Sequence, residues 1–212
     1  MISIHSFVFG PFQENTYLLF DESKECIIID PGCYDDRERA QIADFIEKNK
    51  LKPVKLINTH CHLDHVFGNG FIADNYQLKL EINKLDKPVL DSFLTTCKLY
   101  GLNASPSPQP SIYLNEGDVI TFGNSTLEIL FTPGHSPGSI TFYEGKQKIA
   151  IVGDVLFYGS IGRTDLPGGD FETLINSIKN KLFPLGDDYT IYNGHGPSTT
   201  IGFERMNNPF LV

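Results

Sequence analysis

The feature that most constrains this chain is a seven-residue run, Thr59-His60-Cys61-His62-Leu63-Asp64-His65, which carries three of its six histidines and an aspartate. Crowding that many imidazoles and a carboxylate into one turn costs desolvation unless a bound group satisfies them. Val54 to Ile57, just before it, reads as a strand, and a helical pattern follows from residue 66. His60 and His62 stand two apart, so on extended backbone they face the same side. Asp64 and His65 follow where the chain turns and can face a second ion. Imidazole nitrogen and carboxylate oxygen suit borderline divalent ions such as zinc.

Three further candidates lie far along the chain. His135 sits in Thr132-Pro133-Gly134-His135-Ser136-Pro137-Gly138, Asp154 in Val152-Gly153-Asp154, and His195 in Asn193-Gly194-His195-Gly196. Each falls just beyond an expected strand and beside glycine, which lets the backbone turn tightly and leaves room for a ligand. Only His5 is left outside the set, and it reads as an ordinary strand residue. Cys61 would face away from His60 and His62 on extended backbone, so it is expected to be a packed thiol and not a ligand.

The surrounding pattern predicts strands at 2–9, 16–20, 26–29, 54–57, 119–122, 126–131, 138–143, 148–152 and 189–192. Helices are expected at 37–49, 66–82, 88–99 and 171–182, the last with Asp170 as its N-cap, and a Pro/Ser loop at 104–111. That order suggests two sheets packed face to face with helices outside. No linker divides the chain, so residues 1–212 read as a single domain.

Charge narrows the partners. With 26 acidic against 17 basic residues the net charge is -9, which opposes binding to nucleic acid or an anionic membrane. No apolar run has the roughly 18–20 residues a membrane span needs, and the N-terminus lacks a signal-peptide pattern. Cys26, Cys33, Cys61 and Cys97 form no CxxC pair and read as free thiols of a reducing compartment. The expectation is a cytoplasmic protein acting on a small molecule. A homodimer is the expected assembly.

Segment 59–65, taken with His135, Asp154 and His195, resembles the metallo-beta-lactamase superfamily in its glyoxalase II-like branch. The four separated motifs occur in the family's order, over essentially the whole chain. The resemblance implies an α+β fold, a four-layered αββα sandwich with a two-metal site between the sheets. It implies that His60, His62 and His135 hold one ion, that Asp64, His65 and His195 hold another, and that Asp154 bridges them. Two divalent ions are the implied cofactors, zinc first, with iron or manganese as alternatives. An aspartate at 154, where lactamase variants carry cysteine, matches the thioester hydrolases. The strand ending in Asp30-Pro31-Gly32 also recurs in the family. It implies that Asp30 steadies a ligand or the His60 loop by hydrogen bonding, with a simple turn former as the alternative.

The implied reaction is hydrolysis of a small acyl thioester by a metal-activated water, with Asp64 and Asp154 as catalytic residues that orient the water while acting as ligands. Arg163, in the Gly-rich stretch Gly159 to Asp165, is expected to bind a substrate carboxylate, with a salt bridge to Asp165 or Asp170 as the alternative. A persulfide dioxygenase using one iron on the first three histidines shares nearly all these residues. Another ester hydrolase of the same fold is a further alternative, a nuclease of that fold fits poorly with the acidic chain, and a structural zinc module would need only four closed ligands. Full-length glyoxalase II has a further C-terminal helical domain that grips glutathione, whereas only 17 residues, 196–212, follow His195 here. The resemblance is therefore to the short form, with loose recognition of the thiol expected.

Overall fold

The first sheet is built around isoleucine-rich strands that are buried on both faces. In the computed structural model, which describes residues 1–212, it comprises β1 (Ser3–Phe9), β2 (Glu14–Phe20), β3 (Glu25–Ile29), β4 (Lys52–Ile57), β5 (Leu80–Ile82) and β6 (Ile112–Tyr113), in that spatial order. Neighbours from β1 to β3 are antiparallel and those from β3 to β6 are parallel. The second sheet comprises β7 (Val119–Phe122), β8 (Ser125–Phe131), β9 (Ile140–Glu144) and β10 (Ile149–Gly153). A small hairpin, β11 (Leu156–Phe157) with β12 (Ser160–Ile161), comes next, and then β13 (Thr190–Asn193) and β14 (Thr199–Thr200) complete the second sheet.

Side-chain alternation sorts residues into layers. Leu19, Ile27, Ile29 and Ile57 of the first sheet meet Ile129, Phe142 and Ile151 of the second in the central core. Their neighbours Leu18, Ile28 and Leu56 point the other way, against helices α1 (Asp36–Lys48), α3 (Asn69–Tyr76) and α4 (Lys87–Leu99) through Ile42, Ile72 and Phe93. On the far side, Ala150, Val152 and Ile191 pack against α5 (Phe171–Ser177) and α6 (Ile201–Asn207) through Leu174 and Ile201. The result is the αββα sandwich expected from the sequence. A short helix, α2 (Leu63–Val66), lies between β4 and α3 and carries Asp64 and His65.

Several elements differ from the sequence expectation. The helix expected over 66–82 stops at Tyr76, because Gln77 takes a left-handed conformation with φ 56. The chain then runs into β5, where buried Leu80 and Ile82 flank Glu81. At the other end, α5 is capped by the Asp170 side chain, which accepts a hydrogen bond from Thr173 N at 2.8 Å. It gives way at Ser177 to a wider π-type turn over Ile178–Leu182. Strands β5, β6 and β14 and helix α6 have no counterpart among the expected elements.

Strand direction then gathers the functional loops at one rim. β3 and β4 are parallel and in register at Ile29 and Ile57, so Asp30 and the His60 loop leave side by side. β10 and β13 are parallel and meet at Gly153 and Asn193, which brings Asp154 beside His195. β8 ends at the same rim and leads into His135.

Candidate metal centre

Six of the seven candidate ligands fall into two trios whose ligand atoms lie within 4.8 Å of one another: His60, His62 and His135, and Asp64, His65 and His195. In the first, His62 Nδ1 lies 2.8 Å and His60 Nε2 lies 3.2 Å from His135 Nε2. In the second, His195 Nε2 lies 3.1 Å from Asp64 Oδ2, and His65 Nε2 lies 3.8 Å from it. Asp154 stands between them. One of its oxygens is 3.5 Å from His135 Nε2 and 3.5 Å from His195 Nε2, and the other is 3.4 Å from His65 Nε2.

Partners on the outside fix which imidazole nitrogen faces inward. His135 Nδ1 is 2.8 Å from the Arg163 carbonyl and His195 Nδ1 is 3.1 Å from the Phe12 carbonyl. His65 Nδ1 is 3.1 Å from the Asp30 carboxylate. Each of those oxygens can only accept, so each Nδ1 carries a proton and each Nε2 points its other side into the site. For His60 the partner is Thr59 Oγ1 at 3.1 Å, whose own proton goes to Asp30 Oδ2 at 2.5 Å. The hydroxyl is left as an acceptor, and His60 Nε2 faces inward too. His60 and His135 therefore bring two lone pairs to 3.2 Å, a repulsive contact that a cation between them relieves. His65 Nε2 and Asp154 Oδ1 are likewise buried with no hydrogen-bond partner. The donor set and these unpartnered atoms fit divalent ions.

Electrostatics separates the trios. Burial, aided by neighbouring imidazoles, pushes the pKa of His60 well below the usual range and that of His62 down to about 3. These rings are neutral at pH 7 and ready to ligate. Burial acts the same way on His65 and His195, but Asp154 and Asp64 outweigh it, holding His65 well above the usual range and His195 at about 10. Burial would raise Asp154, yet the His65 charge and the His195 hydrogen bond keep it well below the usual carboxylate range. A cation entering the second trio must expel protons; one entering the first need not.

Two glycines make the approach feasible. A Cβ at Gly153, whose φ is +54, would overlap Thr59 Oγ1, and one at Gly194 would overlap Asp154 Oδ1.

The other candidates are also accounted for. Asp30 does more than turn the chain: it accepts Thr59 N at 2.7 Å and Thr59 Oγ1 and holds His65. Cys61 is buried in the core beneath α4. His5 stacks on Phe45 with ring centroids 3.8 Å apart, away from the site. Arg163 lines the cleft above the two trios, but its guanidinium is paired with exposed Asp165 at 2.7 and 2.8 Å.

Two residues that the sequence reading passed over matter here. Buried Asp86 accepts Cys61 N at 2.5 Å on one oxygen, and Ser136 Oγ at 2.5 Å and Gly138 N at 2.6 Å on the other. It thereby ties the His60–His62 loop to the His135 loop. Glu14, fully buried, has its carboxyl raised well above the usual range by burial and lies 3.9 Å from His65 Nδ1. Glu14 opens β2 ahead of Asn15 and Thr16, outside the strand expected from residue 16, and no sequence signal marks it.

The sequence profile of the metallo-beta-lactamase superfamily matches residues 9–195. The chain belongs to the metallo-beta-lactamase superfamily. It is 42% identical over 202 residues to a hydroxyacylglutathione hydrolase, GloC, of Haemophilus influenzae, covering 94% of this chain and 93% of that one. It is 35% identical to a mitochondrial persulfide dioxygenase of Mus musculus, covering 93% of this chain and 71% of that one. Among solved structures, the B3 metallo-beta-lactamase BLEG-1 superposes with a TM-score of 0.90 at 34% identity, covering 99% of this chain and 100% of that one. TTHA1623 in a di-iron-bound form gives 0.88 at 35% identity, covering 98% and 100%. As a metallo-beta-lactamase family member the chain is of a metallo-hydrolase class, and its fold implies divalent metal binding. No helix is long and apolar enough to cross a membrane.

Proposed function

We propose that this protein is a two-metal hydrolase of small acyl thioesters. The observation that carries the reading is the set of outward-clamped histidines whose inner nitrogens converge, with Asp154 within 3.5 Å of both trios. His60, His62 and His135 would hold one ion, Asp64, His65 and His195 the other, with Asp154 shared; zinc is the ion proposed, and iron the alternative. Such ions supply Lewis-acid polarisation of a carbonyl and acidify water. Asp64 and Asp154, on the cleft floor, orient the attacking water by accepting its hydrogen bonds. Asp30, Thr59, and the Phe12 and Arg163 carbonyls keep His65, His60, His195 and His135 each in one tautomer and orientation. The identity to a hydroxyacylglutathione hydrolase supports a thioester as substrate. A small molecule is the proposed partner.

A second reading has one specific support. The 35% identity to a persulfide dioxygenase supports oxygen chemistry on a persulfide, and in that reading His60, His62 and His135 would hold a single iron. The two separate in one assay. The hydrolase reading expects thiol release from acyl thioesters, abolished by a chelator, restored by zinc, and without oxygen uptake. Oxygen consumption on a persulfide with no thioester turnover would sink it.

A further inference from the structure

The cleft above the two trios has a volume of about 1020 Å³ and an unusual chemistry for an acidic protein. One wall is a stripe running from the turn before α4 through that helix: Leu85, Val89, Ser92, Thr96 and Tyr100. Steps of four, three, four and four residues put them on one helical face. The buried residues of α4 form a neighbouring stripe, Leu90, Phe93 and Cys97, with half-buried Val89 packed at its edge. Leu85, Ser92, Thr96 and Tyr100 lie outside that core and face the cleft. Leu85 is 54% and Tyr100 53% exposed, although both are large and apolar in bulk. Across the cleft stand Phe157 and Leu166. The helix keeps its charges off this stripe, where Lys87 and Asp91 pair with each other.

Cations are the missing element. Apart from the ligand histidines, the only basic residue lining the cleft is Arg163, whose Nε and Nη2 are engaged by Asp165 while Nη1 stays open. A glutathionyl group carries two carboxylates, and the one open guanidinium edge of Arg163 can meet only one of them. An apolar chain, by contrast, gains from covering exposed leucine, valine and aromatic surface.

We propose that the cleft selects uncharged thioesters bearing a long apolar group, over glutathione thioesters. This rests on the thioester-hydrolase reading of the same site. Two measurements test it independently. The first is kcat/KM for acetyl, butanoyl, hexanoyl and octanoyl thioesters of neutral N-acetylcysteamine and of glutathione, with octyl thioacetate to place the chain on the thiol side. A gain of about twofold per methylene is expected, roughly half the effect of full burial. Octanoyl should then exceed acetyl by on the order of fiftyfold. Val89→Asp should lower the octanoyl-to-acetyl ratio at least tenfold, the ratio serving as its own control for folding. The second is calorimetric affinity for ethyl and octyl thioethers of N-acetylcysteamine, which cannot be hydrolysed. Octyl should bind at least tenfold more tightly.

Chain-length dependence in either half of the substrate supports the inference. Turnover that ignores chain length, thioether affinities that do the same, or a preference above tenfold for glutathione over the neutral thiol would overturn it while leaving the hydrolase reading intact. Tighter octyl binding with no thioester hydrolysed would support the apolar cleft and overturn the hydrolase reading.

Discussion

The two ends of the sandwich each carry buried aspartate, and they use it differently. At the end away from the candidate metal centre, Asp21 follows β2 and clamps the turn between β7 and β8. It accepts hydrogen bonds from Ser23 N at 2.9 Å, Ser23 Oγ at 2.5 Å, Asn124 N at 2.7 Å and Ser125 Oγ at 2.8 Å. Every one of those donors belongs to the chain, and the network closes on itself. At the other end, roughly 20 Å away along the seven residues of β2, carboxylates and imidazoles converge without closing. His60 and His135 oppose lone pairs, and Glu14 Oε1, His65 Nε2 and Asp154 Oδ1 have no partner. A buried polar network that satisfies itself stabilises a fold; one that ends in facing acceptors and open nitrogens is completed by something else.

The largest expected effect lies at the open end. Asp154→Ala removes the one group near both trios, and should lower turnover by at least about a thousandfold with loss of bound metal. Elemental analysis and thioester turnover of one preparation check this; normal values for both would show that the ends do not differ as described. Asp86→Asn comes next. It keeps the size of the side chain but turns one acceptor into a donor facing Cys61 N or the Ser136–Gly138 pair. Metal affinity should fall about 10- to 100-fold, as for other residues that orient ligands, measured by competition with a chromophoric chelator.

At the closed end the signature reverses. Asp21→Ala strands buried donors and should cost about 2–3 kcal/mol, a drop in Tm of about 4–12 °C for a chain of this size. Turnover per folded molecule should stay within about twofold of the original. The same residue sets a pH dependence. Burial would raise the Asp21 pKa, but its hydrogen bonds hold it at about 2, below its ordinary 3.8. With the folded pKa depressed, its contribution is complete above about pH 4 and fades as pH falls toward 2. Urea titrations from pH 5 to 2 should show Asp21→Ala and the unaltered protein converging in stability at the acid limit. The smallest effect is expected from His5→Ala, which removes a stacked ring on β1 and should leave metal content and turnover unchanged.

The open end was more legible in the sequence than the closed one. A lone histidine beside glycine is more often structural than ligating, but five of six histidines gathered at strand ends are conspicuous, and those five meet in space. Double-sided burial was also readable, because Ile27-Ile28-Ile29 must face apolar layers on both sides. Asp86 and Asp21 were not, since their roles arise only when loops distant in sequence close around them. The helix expected through 66–82 failed for a local reason: Leu78, Leu80 and Ile82 alternate with a period of two, but the helical run before Gln77 masks the change.

The difference between the ends is tested most directly by the metal content of protein purified without chelator, measured together with oxygen uptake on a persulfide. Two divalent ions per chain and no oxygen uptake are expected, because both trios and Asp154 are left incomplete by the chain itself. One iron per chain, with oxygen consumed, would contradict the two-ion assignment and leave the second trio as a network closed by its own charges.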